Sequence, residues 1–175
     1  MLTIAQVLTA TGGRLCSGSL QQTLGGITID SRTAAPRELF IALRGDRFDG
    51  HDFIGEAVKR GASCVMQEAA RGITSLSSRT AVIAVKDTVK AMGALASFIR
   101  SRFDIPLIAV TGSNGKTTTK EMISWVLSGR YRVLKNEGTK NNHIGVPLTL
   151  FSLGSRHDIA VLEIGTNHFG EIAYL

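Results

Sequence analysis

The ten residues Ala109-Val110-Thr111-Gly112-Ser113-Asn114-Gly115-Lys116-Thr117-Thr118 follow an apolar run, Pro106 to Val110, and precede a helical pattern from about Thr117 to Leu127. A strand, a glycine turn, a lysine and a helix in this order restrict the fold more than any other feature of the chain. A phosphate held this way needs inward backbone N–H groups, glycines that let the main chain approach, and a helix N-terminus whose partial positive charge faces the anion. Gly112, Ser113, Asn114, Gly115 and the amides through Thr118 supply them. Lys116 would reach the β- and γ-phosphates of a nucleotide as a point charge, and the Thr117 hydroxyl would ligate Mg²⁺. The usual G-x-x-x-x-G-K-[ST] pattern places a glycine where this chain has Val110, so the match is to a shorter T-G-x-x-G-K-T form. An ordinary strand-to-helix turn would not need the lysine and threonine together.

The surrounding pattern is α/β. From Asp87 onward it runs helix (Val89, Met92, Leu95, Ala96 and Ile99 on one stripe), strand 106–110, helix, strand 131–134, loop, short helix 147–152 and strand 158–164. Strands separated by helices indicate parallel units with both sheet faces covered. About four strands are expected here. The first 85 residues instead mix short extended segments (14–16, 26–30, 38–43, 64–66, 81–85) with turns and one clear helix from Phe53 to Val58, ended by Gly61. Thr3 and Gln6 have capping-box spacing for a first helix that Gly12 can stop. Two domains follow, 1–85 and 86–175. The pattern breaks off in another helix, GEIAYL, and reads as a fragment of a longer protein.

Glu163 falls near the end of the run DIAVLEI, between Leu162 and Ile164, at the rim where open α/β sheets bind ligands. A charge there must be paired or hold a cation. As a metal ligand it joins Thr117; as a plain ion pair it would face a lysine or a helix end. The loop 136–147 is polar and precedes a helix, so Asn141 and Asn142 could help hold an anion, although a hydrogen-bonded turn explains them equally well. His168 is a candidate contact or base, and a surface histidine is the plainer reading. Charge excludes little: the net +6 is scattered over both halves without a basic block, which argues against nucleic acid. Cys16 and Cys64 stand in no metal-binding or C-x-x-C spacing, so a reducing cytoplasm is expected. No apolar run approaches the roughly 20 residues of a membrane span.

The segments TGSNGKTTTKEM, NNHIGVPLTLF, VLEIGTNHFGEIAYL and TIDSRTAAPRELFIALRGDRFDGHDFIGEAVKRGA together resemble the Mur ligase family, ATP-dependent amide ligases of peptidoglycan precursor synthesis. The resemblance covers essentially the whole chain. It implies a small N-terminal α/β domain binding the UDP end of the substrate, followed by the start of a P-loop ATPase domain. Within the family, the second and third segments are most similar to the ligase that joins D-alanyl-D-alanine to UDP-N-acetylmuramoyl-tripeptide. A ligase of the diamino-acid-adding or folylpolyglutamate type, or a non-catalytic UDP-sugar-binding module, remains as an alternative.

By motif, the resemblance implies that Ser31, Arg32, Arg47, Asp49, Gly50 and His51 hold the UDP end, with Arg32 and Arg47 as donors to a diphosphate. Asn142 matches a family asparagine near that diphosphate. Lys116 and Glu163 are the implied catalytic residues, Glu163 with Thr117 on Mg²⁺, and ATP and Mg²⁺ the implied cofactors. The family's downstream histidine and carbamylated lysine have no counterpart here, so inactivity of this piece alone is expected. A monomer without nucleic-acid or membrane partners is the remaining expectation.

Overall fold

A computed structural model describes every residue except Asp46, Ser75, Ser77, Ser78 and His168. The chain divides into two compact units, Met1–Leu95 and Ala96–Leu175.

The first unit opens with β1 (Leu2–Thr3) and α1 (Ile4–Thr11). The capping box forms: Thr3 Oγ1 accepts the Gln6 N–H at 3.3 Å, and Gln6 Oε1 accepts the Thr3 N–H at 3.0 Å. Gly12, at φ +64°, ends the helix in the left-handed region, where a side chain would be strained. There follow β2 (Arg14–Ser17), β3 (Thr23–Leu24), β4 (Gly26–Thr28), β5 (Glu38–Ile41), α2 (Ile54–Arg60), β6 (Cys64–Glu68) and β7 (Ala81–Val85). The main sheet runs β2-β7-β6-β5-β4, parallel apart from the antiparallel edge strand β2, while β1 and β3 form a separate antiparallel pair. Burial of β7 along its whole length, and of β6 up to Glu68, explains their unbroken apolar runs, as expected of parallel strands covered on both faces. Phe40 of β5 and Val65 of β6 pack with Ile54 and Ala57 of α2 and with Ala34, Ala42 and Ala62.

In sequence, α3 (Thr88–Ser101) follows β7, and the division between units falls inside it. The change of sequence pattern lies earlier, at residue 86.

The second unit contains β8 (Leu107–Val110), α4 (Lys116–Ser128), β9 (Val133–Lys135), α5 (Gly145–Phe151), β10 (Ile159–Glu163) and α6 (Glu171–Tyr174). Its sheet has three strands among the described residues rather than about four, because the pattern after Glu163 turns directly into a loop and α6. The order is β8-β10-β9, all parallel, with Glu163 level with Val110 and Val161 level with Lys135. The last strand in sequence is therefore the central one. All five of its residues are buried. Because the strands are parallel, the turn after β8, the loop after β9 and the end of β10 leave the sheet at one edge, and α4 lies against all three strands. No helix among the described residues is long and apolar enough to cross a membrane.

Two substitutions separate core from cap in the first unit. Phe40→Ala, at a side chain 1% exposed, should cost about 3–5 kcal/mol of stability. Thr3→Ala, which removes one half of the capping box, should cost about 1 kcal/mol. Denaturant unfolding with an unchanged m-value checks both, and equal costs would contradict this account.

Candidate functional site

The turn after β8 is built as an anion cradle. Gly112 (φ +139°) and Gly115 (φ +74°) take conformations that side-chain-bearing residues rarely adopt, and Gly115 is the N-cap of α4. Thr119 donates its N–H to Gly115 O at 2.9 Å, so the N–H groups of Lys116, Thr117 and Thr118 open the helix and point toward its N-terminal end. Residues Gly112, Ser113, Asn114 and Gly115 are exposed to solvent. Lys116 curls over the turn, its ammonium donating to Gly112 O at 2.7 Å. A lysine held this close to its own loop can transfer the bond to a phosphate without moving its backbone.

Thr117 and Glu163, 46 positions apart, meet here: Thr117 Oγ1 donates to Glu163 Oε2 at 2.8 Å. The other carboxylate oxygen, Oε1, accepts from Asn141 Nδ2 at 2.6 Å. Asn136, wholly buried, completes the frame. Its Oδ1 accepts the Glu163 N–H at 2.8 Å, and its Nδ2 donates to Glu163 O at 3.0 Å and to Lys140 O at 2.8 Å. The amide thus continues the ladder beyond the end of β9. Glu163 is 1% exposed, yet no lysine, arginine or histidine pairs with it among the described residues. A buried carboxylate facing a hydroxyl and an amide is an all-oxygen and neutral-donor environment, and a hard divalent cation would complete its electrostatics. The residues present therefore fit magnesium, which Thr117 and Glu163 would hold.

Asn142 is turned differently. Its Oδ1 accepts the N–H groups of Ile144 (3.1 Å) and Gly145 (2.9 Å), so it caps the start of α5 while its own amide donors stay exposed. His168 lies outside the described residues. Lys120, which the sequence reading did not single out, is fully buried one turn beyond Lys116. The spacing of four that places Lys116, Lys120 and Ser124 on one stripe of α4 does not by itself tell a buried lysine from a solvated one.

In the first unit, the segment read as holding the UDP end divides into exposed donors and internal struts. Asp30 caps the 3₁₀ turn Ser31–Thr33 and grips Arg32 through its N–H (2.9 Å), Nε (2.9 Å) and a terminal nitrogen (2.7 Å). The Arg32 side-chain and backbone bonds pull the Asp30 carboxyl down to about 2. Ser31 Oγ donates to Glu56 Oε2 at 2.8 Å, seating the turn on α2 and lowering the Glu56 carboxyl below its ordinary value. Arg47 and Phe48 are exposed at the tip of the next loop. Gly50 closes that loop, donating to Leu43 O at 2.8 Å, and a Cβ there would stand 2.7 Å from the Leu43 backbone.

Asp49 and His51 point inward and support this loop. His51 Nδ1 lies 2.6 Å from Asp49 Oδ1, Nε2 accepts the Glu68 N–H at 3.0 Å, and Arg71 pairs with Asp49 Oδ2. Since Nε2 accepts, the ring hydrogen sits on Nδ1, facing Asp49. Long-range ¹H–¹⁵N correlation spectra at pH 7 should show a protonated Nδ1 and a bare Nε2, and Asp49→Ala, which leaves the Glu68 N–H in place, should keep that tautomer. A protonated Nε2 would mean that the Glu68 contact does not form.

Residues 23–100 match the profile of the Mur ligase family, catalytic domain, and residues 110–175 that of the Mur ligase middle domain. The UDP-N-acetylmuramoyl-tripeptide–D-alanyl-D-alanine ligase of Bacillus subtilis is 41% identical over 99% of this chain, which spans 38% of that protein. A MurF from Acinetobacter baumannii superposes with a TM-score of 0.88 at 38% identity, over 98% of this chain and 37% of its own. A MurF from Thermotoga maritima solved in complex with ADP superposes at 0.76 with 33% identity, over 87% of this chain and 34% of its own. The chain thus spans little more than a third of the relatives it matches. With both family profiles matched in order and the phosphate cradle, Thr117 and Glu163 brought together at one sheet edge, the chain belongs to the Mur ligase family.

Proposed function

We propose that the intact protein carrying this chain is an ATP-dependent amide ligase that joins D-alanyl-D-alanine to UDP-N-acetylmuramoyl-tripeptide in peptidoglycan precursor synthesis. The observation that carries the reading is the buried Glu163 carboxylate bonded to Thr117 at the mouth of the phosphate cradle. The choice of substrates is supported by relatives of that name at 41% identity. Residues 1–85 serve the UDP-linked substrate, and residues 86–175 begin the ATP-binding domain.

Gly112, Ser113, Asn114, Gly115 and the amides through Thr118 cradle the phosphates of ATP, and Lys116 exchanges its bond to Gly112 O for a phosphate oxygen. Magnesium held by Thr117 and Glu163 would neutralise phosphate charge. An unactivated carboxylate is a poor electrophile. The tripeptide's terminal carboxylate oxygen therefore attacks the γ-phosphorus, ADP leaves, and the acyl phosphate results. The D-alanyl-D-alanine amine then attacks the acyl carbon, releases inorganic phosphate and loses a proton. The chain's contribution is alignment and charge compensation. Arg32 and Arg47 are the exposed donors for the substrate diphosphate, Ser31 and Gly50 shape their turns, and Asp49 and His51 brace the loop that carries Arg47. Asn141, Asn142 and His168 belong to the same proposed substrate set, with the free amide of Asn142 available to an anion. We infer a cytoplasmic location from the proposed dependence on ATP.

The test is phosphate release from Mg-ATP by the intact protein with UDP-N-acetylmuramoyl-tripeptide and D-alanyl-D-alanine supplied singly and together. Release should require both. Lys116→Ala should lower kcat/KM by on the order of 10²–10³ or more while UDP-substrate binding persists. Release with a free diamino acid in place of the dipeptide would transfer the chain to the preceding ligase, and no release under any combination would leave a UDP-sugar-binding module.

A further inference from the structure

The ammonium of Lys120 is fully buried, donating to Asn136 O at 2.6 Å and Gly138 O at 3.2 Å and pairing with Glu121 Oε1 at 3.1 Å. Two of the three are main-chain carbonyls of the loop that follows β9. Burying an ammonium is costly, and an apolar side chain of similar length would fill the same space without that cost. What the ammonium adds is a fixed position for the loop. That loop ends at Asn141, whose amide reaches Glu163 Oε1 at 2.6 Å, while Thr117 on the helix of Lys120 reaches Oε2 at 2.8 Å.

The bonds close a ring: α4 through Lys120 to the loop, through Asn141 to Glu163, and through Thr117 back to α4. The loop has little room to settle elsewhere. A Cβ on Gly145 would stand 2.5 Å from the Lys140 backbone, and one on Gly165 would stand 2.6 Å from the Asn141 side chain. Asn141 is also tied by its carbonyl, which accepts the Gly165 N–H at 2.8 Å.

We propose that Lys120 is a positioning residue that sets the orientation of the Glu163 carboxylate through Asn141, and with it the affinity of the site for a divalent cation. Lys120 bonds to neither Thr117 nor Glu163, so its effect on them runs through the loop. The proposal rests on Thr117 and Glu163 being the metal ligands.

The experiment uses the intact protein, Mn²⁺ as the probe, and ADP. Free Mn²⁺ is followed by electron paramagnetic resonance in the presence of ADP, and ADP binding is measured separately in EDTA. Lys120→Met should weaken Mn²⁺ by roughly tenfold, as loss of a group supporting a metal ligand does, and leave metal-free ADP affinity unchanged. Asn141→Ala should weaken Mn²⁺ to a similar degree, and the double variant should bind Mn²⁺ no more weakly than the worse single one. Lys120→Arg, which keeps the charge and the donors, should fall between wild type and Lys120→Met, and it replaces Lys120→Met if that variant does not fold.

Wild-type Mn²⁺ affinity in Lys120→Met, equal losses of metal-dependent and metal-free ADP binding, or additive losses in the double variant would each overturn the role of Lys120. Glu163→Gln separates the two levels. If it binds Mn²⁺ as wild type does, the assignment of the metal ligands itself fails; if it weakens Mn²⁺ while Lys120→Met does not, only the positioning role fails.

Discussion

A carboxylate at the end of a central, fully covered strand cannot be left to find its own partners. Glu163 is 1% exposed and bonded to a threonine hydroxyl and an asparagine amide, both of which come from elsewhere in the sequence. Each partner needs its own support. Thr117 is fixed because Gly115 caps α4 in a conformation that starts the helix at Lys116, and Asn141 is fixed because Asn136 and Lys120 hold the loop before it. The parallel sheet makes this possible by delivering three strand ends to one edge. Interactions that are individually worth about a kilocalorie per mole therefore cooperate in holding one charge in one orientation.

In the first unit the arrangement is looser and more exposed. The arginines that would meet an anion, Arg32 and Arg47, stand on short turns whose geometry is held from beneath: Asp30 and Glu56 under one, Asp49, His51 and Gly50 under the other. The Asp30–Arg32 pair is solvated, so giving up part of it to a ligand costs little. Exposed donors on braced turns suit a ligand that must enter and leave.

Much of this was legible in the sequence, and the parts that were not share a cause. The cradle, α4, β10 and Glu163 follow from local pattern: an apolar run, two glycines, a lysine and a periodic helix. The capping box of α1 could be read from Thr3 and Gln6 alone. Lys120 could not be read so, because in KTTTKEM it looks like another solvated helix charge, and its burial depends on carbonyls 16 and 18 positions away. His51 likewise sits in a segment whose motif points to a ligand, while its ring is claimed by the Glu68 N–H, 17 positions on. The two-residue strands Leu2–Thr3 and Thr23–Leu24 are too short to show a period. The helix read in GEIAYL forms as α6, whereas the second unit has three strands among the described residues where about four were expected.

The order β8-β10-β9 also bears on how the second unit is made. On a ribosome, β8 and β9 emerge first, and neither has the other as a neighbour in the sheet. Each leaves an unpaired edge until β10 arrives and inserts between them, an edge that can pair wrongly with another chain. Parallel pairing across about 50 residues is slow to form, and the last residue to pair, Glu163, is the charged one. The hazard is thus greatest for nascent or refolding chains. Conditions that speed insertion of β10 should matter more to the yield of soluble protein than those that stabilise the finished sheet.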